Sequence, residues 1–418
     1  MMRVSGFSCL RCRRFFSATM KIVPSGCPHC LEEAPTNLKV VYDENIRPRA
    51  NTPIAQDRVP SLWRYADSLP CSIEDAISLG EGLTTLLPAR ALGASLGISD
   101  LFIKDESENP TWSHKDRFST VAVSMARLLG AQVVATASSG NAGASLAAYA
   151  ARARLKCVVV TFAGTTGAML AQAEKYGATV LPLLDKSQRW PLLDTCAKEF
   201  GWFVTSPFRA PVIGSHPLGI EGYKTIAYEL VEQMNGKALD WCVLPVCYGD
   251  ALAGVWQGFE DLRLRGVIER SPRLVAAEVH GSLARALAEG TDLVAEMPAA
   301  FDTLAVSIGT TRSTFQAVNA LRASGGAAVP VSNQGLIELQ EELARREGIL
   351  AELASVTPFA AIAMLRRQAI IKDGQSVVAV VTGSGLKDLD RVVRNEHRQA
   401  VFHSQDEALA HLRDGEVV

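Results

Sequence analysis

Residues 131–143 read Ala-Gln-Val-Val-Ala-Thr-Ala-Ser-Ser-Gly-Asn-Ala-Gly, an apolar run followed by a turn rich in serine and glycine. The apolar run, residues 131–137, predicts a buried strand, and the small residues 142–151 after the turn predict a helix. Strands that alternate with helices at this spacing form a parallel sheet with right-handed crossovers. The same alternation continues downstream, with strands expected at 157–162 and 179–184 and a helix between them at 166–176.

A second series of strands and helices follows later in the chain. Its apolar runs and amphipathic segments predict the same kind of α/β architecture. The expected strands are 241–246, 273–279 and 376–382, and the expected helices are 220–234, 250–264, 334–346 and 358–370.

Length and charge exclude several classes of protein. The chain has 418 residues, enough for two or three domains of ordinary size. Its 42 Lys and Arg against 44 Asp and Glu give a net charge of −2, so it has no overall attraction to nucleic acid or to an acidic membrane. No apolar run reaches the roughly 18 residues of a spanning helix, and the N-terminus lacks the apolar run of a secretory signal. We therefore expect a cytoplasmic protein.

The nine cysteines do not form a disulfide framework, because their number is odd and they are spread along the chain. Four of them form two Cys-x2-Cys pairs separated by fourteen residues: Cys9, Cys12, Cys27 and Cys30. Four thiolates in this pattern make a closed structural site for Zn²⁺. Two coincidental pairs, or a redox pair, are the alternatives. The pattern predicts a zinc-ribbon-like module.

Two loops carry candidate chemistry. Residues 138–143 lie between a predicted strand and a predicted helix, where glycine allows close approach and helix N–H groups can hold an anion. A plain tight turn explains that loop equally well. Lys115 follows a polar turn and is capable of Schiff-base chemistry if it lies near a helix start. A solvated lysine is the common alternative, so neither loop alone decides a function.

Six motifs occur in one order between residues 79 and 388. The motifs are Leu79–Leu86, Lys104-Asp105-Glu106, Asn109–Arg117, Ser138–Gly143, Gly219–Thr225 and Thr382–Asp388. Together they resemble the fold type II (tryptophan synthase β) family of pyridoxal 5'-phosphate enzymes, and most closely its threonine-synthase-like branch. A double Cys-x2-Cys pattern near the N-terminus also occurs in some relatives of that branch.

The resemblance implies roles for individual residues. Lys115 matches the lysine that binds the cofactor as a Schiff base and then moves the α-proton as general base. Asn141 matches the asparagine beside the 3-hydroxyl of the cofactor, and Thr382 matches the hydroxyl residue that faces its pyridine nitrogen. The remaining matches are the substrate-carboxylate loop, Ser138, Ser139 and Gly140, and the phosphate cradle, Val246, Cys247, Tyr248, Gly249 and Asp250.

The chain also departs from the family pattern. Its phosphate loop has only one glycine before Asp250, whose charge is unusual beside a phosphate. His114 replaces the aromatic residue common before the lysine, and it is either a further acid–base or phosphate-binding group or a packing substitution. Some threonine synthases hold the substrate phosphate with an arginine at the position of Gly219. Arg117, Lys104 or Arg209 could replace it as an anion clamp, and each could equally be structural.

The resemblance implies an enzyme of small amino acids that carry a leaving group at the β or γ carbon. Threonine synthase, which converts O-phosphohomoserine and water to threonine and phosphate, is the leading interpretation. A cysteate-synthase-like or serine/threonine-dehydratase-like activity is the alternative. A non-catalytic zinc-ribbon binding or regulatory protein on a decayed enzyme fold is the interpretation of a different class.

The resemblance also implies the organisation of the chain. We expect an α/β protein with two three-layer α/β domains, a small inserted domain that closes over the substrate, and a homodimer. The expected divisions are 1–40 for the zinc-ribbon-like module, 41–119 with 219–418 for the large cofactor-binding domain, and 120–218 for the small inserted domain.

Overall fold

The computed structural model describes residues 2–18, 26–30, 33–43, 59–389 and 401–414. Parts of the predicted zinc-ribbon-like module, and residues 44–58, 390–400 and 415–418 of the predicted large domain, lie outside the described residues. The described residues up to Asp388 form one compact unit, and those from Leu389 onward form a second. Within the described residues no helix is both long and apolar enough to cross a membrane.

The strands confirm the predicted α/β alternation. All six strands predicted from the sequence are present, with ends that differ by at most two residues. The strands are β1 Val4–Cys9, β2 Phe15–Ser17, β3 Leu38–Tyr42, β4 Leu86–Pro88, β5 Asp100–Asp105, β6 Val133–Ala137, β7 Lys156–Phe162, β8 Thr179–Leu183, β9 Phe203–Val204, β10 Trp241–Pro245, β11 Arg273–Glu278, β12 Ala327–Pro330 and β13 Ser376–Val381.

The helices fill the connections between these strands. In the first unit they are α1 Arg90–Leu96, α2 Lys115–Leu128, α3 Asn141–Ala153, α4 Ala168–Lys175, α5 Arg189–Glu199, α6 Pro217–Ile220, α7 Lys224–Gln233, α8 Asp250–Leu264, α9 Ser282–Ala288, α10 Phe315–Ser324, α11 Leu336–Glu347 and α12 Leu353–Arg367. The second unit contains α13 Gln405–Asp414.

Two parallel sheets form the body of the first unit. The larger has the order β12-β11-β10-β13-β5-β4, with only β4 antiparallel to its neighbour. The smaller has the order β8-β7-β6-β9 and is parallel throughout. Every residue of β10 and β13 is buried, as expected for strands covered by helices on both faces.

Helix α12 begins earlier than the sequence predicts. The predicted helix covers residues 358–370, but α12 begins at Leu353 and carries Pro358 in its interior. A proline there cannot donate to the carbonyl of Ala354. The hydroxyl of Thr357 donates to that carbonyl at 2.7 Å, so the carbonyl keeps a partner.

The N-terminal strands form a separate three-stranded antiparallel sheet, in the order β2-β1-β3. This sheet does not stand alone. Phe7 and Leu38 share a hydrophobic cluster with Trp63 and with Val121 and Met125 of α2. The helix that begins at Lys115 is therefore packed against the N-terminal sheet on one side.

Candidate active site

Lys115 is the first residue of α2. The turn before it is tied to the end of β13, because the backbone N–H of His114 donates to the carbonyl of Thr382 at 2.9 Å and Ser113 forms a bridge with Gly383. Lys115 and Thr382 therefore lie at the same carboxyl edge of the large sheet, where ligands of open α/β sheets bind.

The surroundings of Lys115 are polar and aromatic. Its Nζ lies 5.8 Å from the centre of the Tyr223 ring, and the His114 ring stacks on the same ring at 5.5 Å. Burial lowers the pKa of Lys115, but Tyr223 and Asp250 offset this, so the pKa is raised overall. Burial, with the nearby charge of Lys115, holds the pKa of His114 well below its usual range. His114 is thus a neutral imidazole beside a cationic amine.

Residues 246–250 connect β10 to α8 and form a cradle at a helix N-terminus. Gly249 has φ +80°, and a Cβ there would lie 2.4 Å from Cβ of Ala317, so glycine is required. The carbonyl of Cys247 accepts from the Ser313 hydroxyl at 2.8 Å. The carbonyl of Tyr248 accepts a hydrogen bond in the same way, from Thr314 at 2.6 Å. The first N–H groups of α8 have no partner within the helix, which makes this terminus suited to an anion.

The carboxylate of Asp250 is held by protein groups. It accepts hydrogen bonds from the Ser215 N–H at 2.9 Å, from the Ser215 hydroxyl at 2.7 Å and from the Gln316 amide at 2.6 Å. These three donors account for the charge that seemed unusual in the sequence. Asp250 is 7% exposed and fixes the start of α8.

The loop 138–140 and Asn141 lie at the N-terminus of α3. The Ser138 hydroxyl accepts from the N–H groups of Gly140 and Gly143, both at 3.1 Å, which closes the turn. Asn141 donates from Nδ2 to Glu352 at 2.9 Å and accepts at Oδ1 from Lys387 at 2.8 Å. Sequence reasoning assigned no role to Glu352, Lys387 or Tyr223. Lys387 lies in the Thr382–Asp388 motif and Tyr223 in the Gly219–Thr225 motif, whereas no motif includes Glu352.

Thr382 directly follows β13 and is 3% exposed. Its hydroxyl lies 2.8 Å from that of Ser355. Its carbonyl accepts from the N–H of His114 and lies 3.1 Å from Nδ1 of the same residue. Because a carbonyl only accepts, Nδ1 carries the proton, and the backbone fixes the orientation of the imidazole.

A family model described as "Pyridoxal-phosphate dependent enzyme" matches residues 77–383. The chain belongs to this family. The enzyme is 33% identical over 395 residues to the threonine synthase of Methanocaldococcus jannaschii, which covers 92% of this chain and 94% of the relative. It is 34% identical over 341 residues to the threonine synthase of Methanosarcina acetivorans, covering 80% and 82% of the two chains.

The fold of the enzyme is that of fold type II. Threonine deaminase isoform 2 from Solanum lycopersicum superposes with a TM-score of 0.63 at 20% sequence identity, covering 89% of this chain and 95% of that one. The predicted α/β fold class is therefore confirmed.

The donor set of the enzyme fits its family's cofactor. The lysine amine at the first turn of α2, the N-terminus of α8, the Asn141 amide and the Thr382 hydroxyl are groups of the kinds that can hold pyridoxal phosphate. Among the described residues, the fully buried hydroxyl of Ser113 has no hydrogen-bond partner, and it lies two residues before Lys115. A polar atom without a partner at this position is consistent with a site that takes a ligand.

The structure does not bring Arg117 into this group. Its fully buried guanidinium donates to Glu106 at 2.6 Å and to Glu229 at 2.5 Å. Lys104 is equally buried and donates to Glu229 at 2.7 Å. Arg209 pairs with Asp194. All three cations proposed as anion clamps thus have carboxylate partners within the protein.

The four cysteines of the N-terminal pattern do come together. Their Sγ atoms all lie within 4.8 Å of one another, with Cys9–Cys30 at 3.8 Å and Cys12–Cys27 at 3.7 Å. Thiolates around Zn²⁺, each bonded at about 2.3 Å in a tetrahedron, lie about 3.8 Å apart. The cluster therefore has the dimensions of a four-thiolate zinc site.

A short segment connects this cluster to the phosphate loop. The N–H of Cys27 donates to the carbonyl of Thr36 at 3.0 Å. The next residue, Asn37, donates from Nδ2 to the carbonyl of Ser215 at 2.9 Å and to Gln316 at 3.3 Å. Ser215 and Gln316 are the residues that hold Asp250. The N-terminal module therefore supports the start of α8.

Proposed function

We propose that the enzyme is a threonine synthase, which converts O-phosphohomoserine and water to threonine and phosphate. The carrying observation is the match to threonine synthases over most of both chains. The constellation of Lys115, Asn141, Thr382 and the α8 terminus supports a lyase of this kind.

The family resemblance gives each residue a role, and the geometry is compatible with these roles. When bound, the cofactor withdraws electrons from the α-carbon of the substrate and acidifies its proton. Nζ of Lys115 takes that proton as general base and gives protons back to the substrate in later steps of the reaction. The loop of Ser138, Ser139 and Gly140, together with the N-terminus of α3, binds the substrate carboxylate. His114 lies beside Lys115 and holds its ring against Tyr223.

The cradle residues hold the phosphate of the cofactor. Val246, Cys247, Tyr248, Gly249 and Asp250 contribute backbone N–H groups, while the Asp250 side chain is bound by Ser215 and Gln316. The carboxylate is thus compatible with a phosphate at the helix terminus.

A second candidate keeps the same chemistry with another leaving group, as in a cysteate-synthase-like or dehydratase-like enzyme. It is favoured by Gly219, the position at which the family resemblance expects an arginine for the substrate phosphate. A Cβ on Gly219 would lie 2.5 Å from the Phe118 ring. The Phe118 ring therefore occupies the space where that side chain would begin, and Arg117 and Lys104 are paired with carboxylates of the protein.

Phosphate release distinguishes these candidates. The purified protein, loaded with pyridoxal phosphate, is given O-phosphohomoserine and O-phosphoserine separately, and the products are identified by mass. Threonine with one equivalent of phosphate from O-phosphohomoserine supports the first proposal. Phosphate from neither substrate, with the cofactor bound, rejects it and favours an unphosphorylated substrate.

Two variants serve as controls. Lys115→Ala should lose activity and the borohydride-fixed cofactor, whereas Lys175→Ala, at an exposed position on α4, should keep both. A wild-type protein that never binds the cofactor would instead favour the non-catalytic interpretation.

We also propose a structural Zn²⁺ at Cys9, Cys12, Cys27 and Cys30, on the Sγ distances. Elemental analysis should find one zinc per chain. We further propose that the protein is a homodimer, which light scattering can test. We also propose three divisions of the chain: residues 1–40, residues 41–119 with 219–418, and residues 120–218. That division is supported by the sheets, since β6 to β9 all lie within 120–218.

A further inference from the structure

Two buried charged side chains from distant parts of the chain both contact the side chain of Asn141. Asn141 begins α3, Glu352 precedes α12, and Lys387 lies after β13. They are 5%, 3% and 5% exposed. Lys387 donates to Oδ1 of Asn141 at 2.8 Å, and Nδ2 of Asn141 donates to Glu352 at 2.9 Å.

These contacts select one orientation of the Asn141 amide. Turning the amide over would place its NH₂ group against the ammonium of Lys387 and its oxygen against the carboxylate of Glu352. Both contacts would then be repulsive in a buried site, where electrostatic interactions are strong. Since an amide nitrogen carries two hydrogens, one Nδ2 hydrogen remains for a ligand.

Glu352 also connects Asn141 to Thr382. The Ser355 hydroxyl lies 3.5 Å from Glu352 Oε1 and 2.8 Å from the Thr382 hydroxyl. The Ser307 hydroxyl donates to the same carboxylate at 3.2 Å. A single network therefore reaches both side chains that the proposed function assigns to the cofactor ring.

The charges around Lys387 agree with this arrangement. Burial lowers the pKa of Lys387 to about 8, against the opposing effect of Glu352 and Asp116. Burial and the charge of Asp388 raise the pKa of Glu352, against the hydrogen bond from Asn141 and the charge of Lys387. The Lys387 ammonium and the Glu352 carboxylate thus each favour the charged form of the other inside the protein.

We propose that Lys387 and Glu352 are positioning residues that clamp the Asn141 amide so that its free Nδ2 hydrogen faces the ring oxygen of the cofactor. This inference rests on the proposed function, because it assumes the cofactor beside Asn141. Neither residue touches the reacting atoms; each acts through Asn141.

The experiment compares Lys387→Met, Glu352→Leu and Glu352→Gln with a matched control, Lys372→Met, at an exposed lysine before β13. Each protein is titrated with pyridoxal phosphate, and the dissociation constant and visible spectrum are recorded. The spectrum reports the ionisation of the ring oxygen. We expect Lys387→Met and Glu352→Leu to weaken binding about tenfold, the size of one charge-assisted hydrogen bond, and to shift the band. The control should change neither.

Glu352→Gln keeps a hydrogen-bond acceptor and the volume of the side chain, so it should weaken cofactor binding and shift the band less than Glu352→Leu. It replaces Glu352→Leu in the comparison if that variant does not fold. A double-mutant cycle on the thermal stability of the cofactor-free proteins gives a second readout. The combined Lys387 and Glu352 variant should lose less than the sum of the single variants, because the second change removes a charge that the first left unpaired.

Two results overturn the clamp. Unchanged binding and spectrum in folded Lys387→Met, with only stability lowered, would show that Lys387 merely packs. Additive stability losses would show that the residues do not act through one network. A wild-type protein in which borohydride fixes no cofactor on Lys115 would instead refute the proposed function and, with it, the clamp. The failures are therefore distinguishable.

Discussion

Replacing Arg117 by methionine should destabilise the protein strongly without affecting substrate recognition. Arg117 and Glu106 are both fully buried and form a pair at 2.6 Å. Burial raises the pKa of Glu229, but Arg117 and Lys104 offset this and lower it to about 2, so the Glu229 carboxylate is ionised. Removing Arg117 leaves two buried carboxylates with the single cation of Lys104. Breaking a buried pair in this way costs about 3–5 kcal/mol.

Urea denaturation of the wild type and of Arg117→Met measures this cost. Arg209→Met is the matched control, because Arg209 pairs with Asp194 at a partly exposed position, where a pair contributes about 0–1 kcal/mol. The folded fraction of Arg117→Met should have the same KM as the wild type for the substrate from which the wild type releases phosphate.

The opposite pattern would refute this reasoning. In that case the free energy of unfolding of Arg117→Met would lie within about 1 kcal/mol of the wild-type value, and its KM would rise about tenfold or more. Such a result would mean that Arg117 binds the substrate anion and that its ion pairs with Glu106 and Glu229 contribute little to stability.

Other substitutions test neighbouring features. Burial raises the pKa of Asp116 to about 6, against hydrogen bonds from Ser145 and Thr111. Between about pH 4 and about pH 6, Asp116 therefore keeps its proton in the folded protein but loses it in the unfolded chain. Over this range the free energy of unfolding of the wild type should fall by about 3 kcal/mol relative to that of Asp116→Asn, as measured by denaturation at stepped pH. A difference between the two proteins that does not change with pH would contradict this. Cys27→Ser should lose the bound zinc by elemental analysis and melt at a lower temperature; full zinc occupancy would exclude the four-thiolate site. Gly219→Ala should cost about 1–3 kcal/mol, because its Cβ meets the Phe118 ring at 2.5 Å, and an unchanged melting temperature would show that the ring moves aside.

The local pattern of the sequence predicted the architecture well. Helix α8 has the predicted bounds, 250–264, because an apolar strand, a glycine turn and an amphipathic run follow one another there. The predicted start of α12 at residue 358 was wrong, because the helix begins at Leu353 and the hydroxyl of Thr357 donates to the carbonyl that Pro358 leaves without its usual donor. Local propensity carries no information on such a contact.

The partners of the site residues could not be predicted in this way. Lys387 lies 246 residues from Asn141 in the sequence, and Glu352 lies 211 residues away. Arg117 was a candidate for an anion clamp because the arginine that some threonine synthases use for the substrate phosphate is missing, and an arginine can bind a ligand anion or a carboxylate of the protein. Only the folded chain brings Glu106, which directly follows β5, and Glu229 of α7 to Arg117 of α2.

The contacts of Asn37 and Lys387 bear on how far this enzyme can be shortened. A protein cut to the family-matched region, residues 77–383, would lose Asn37, the donor to Ser215 and Gln316. It would also lose Lys387, the donor to Asn141. Each buried acceptor left without its donor costs about 1–3 kcal/mol, a large fraction of the stability of a folded protein. We therefore expect a protein cut to residues 77–383 to be less stable than the full chain, because the residues that support the site extend beyond the region that the family shares.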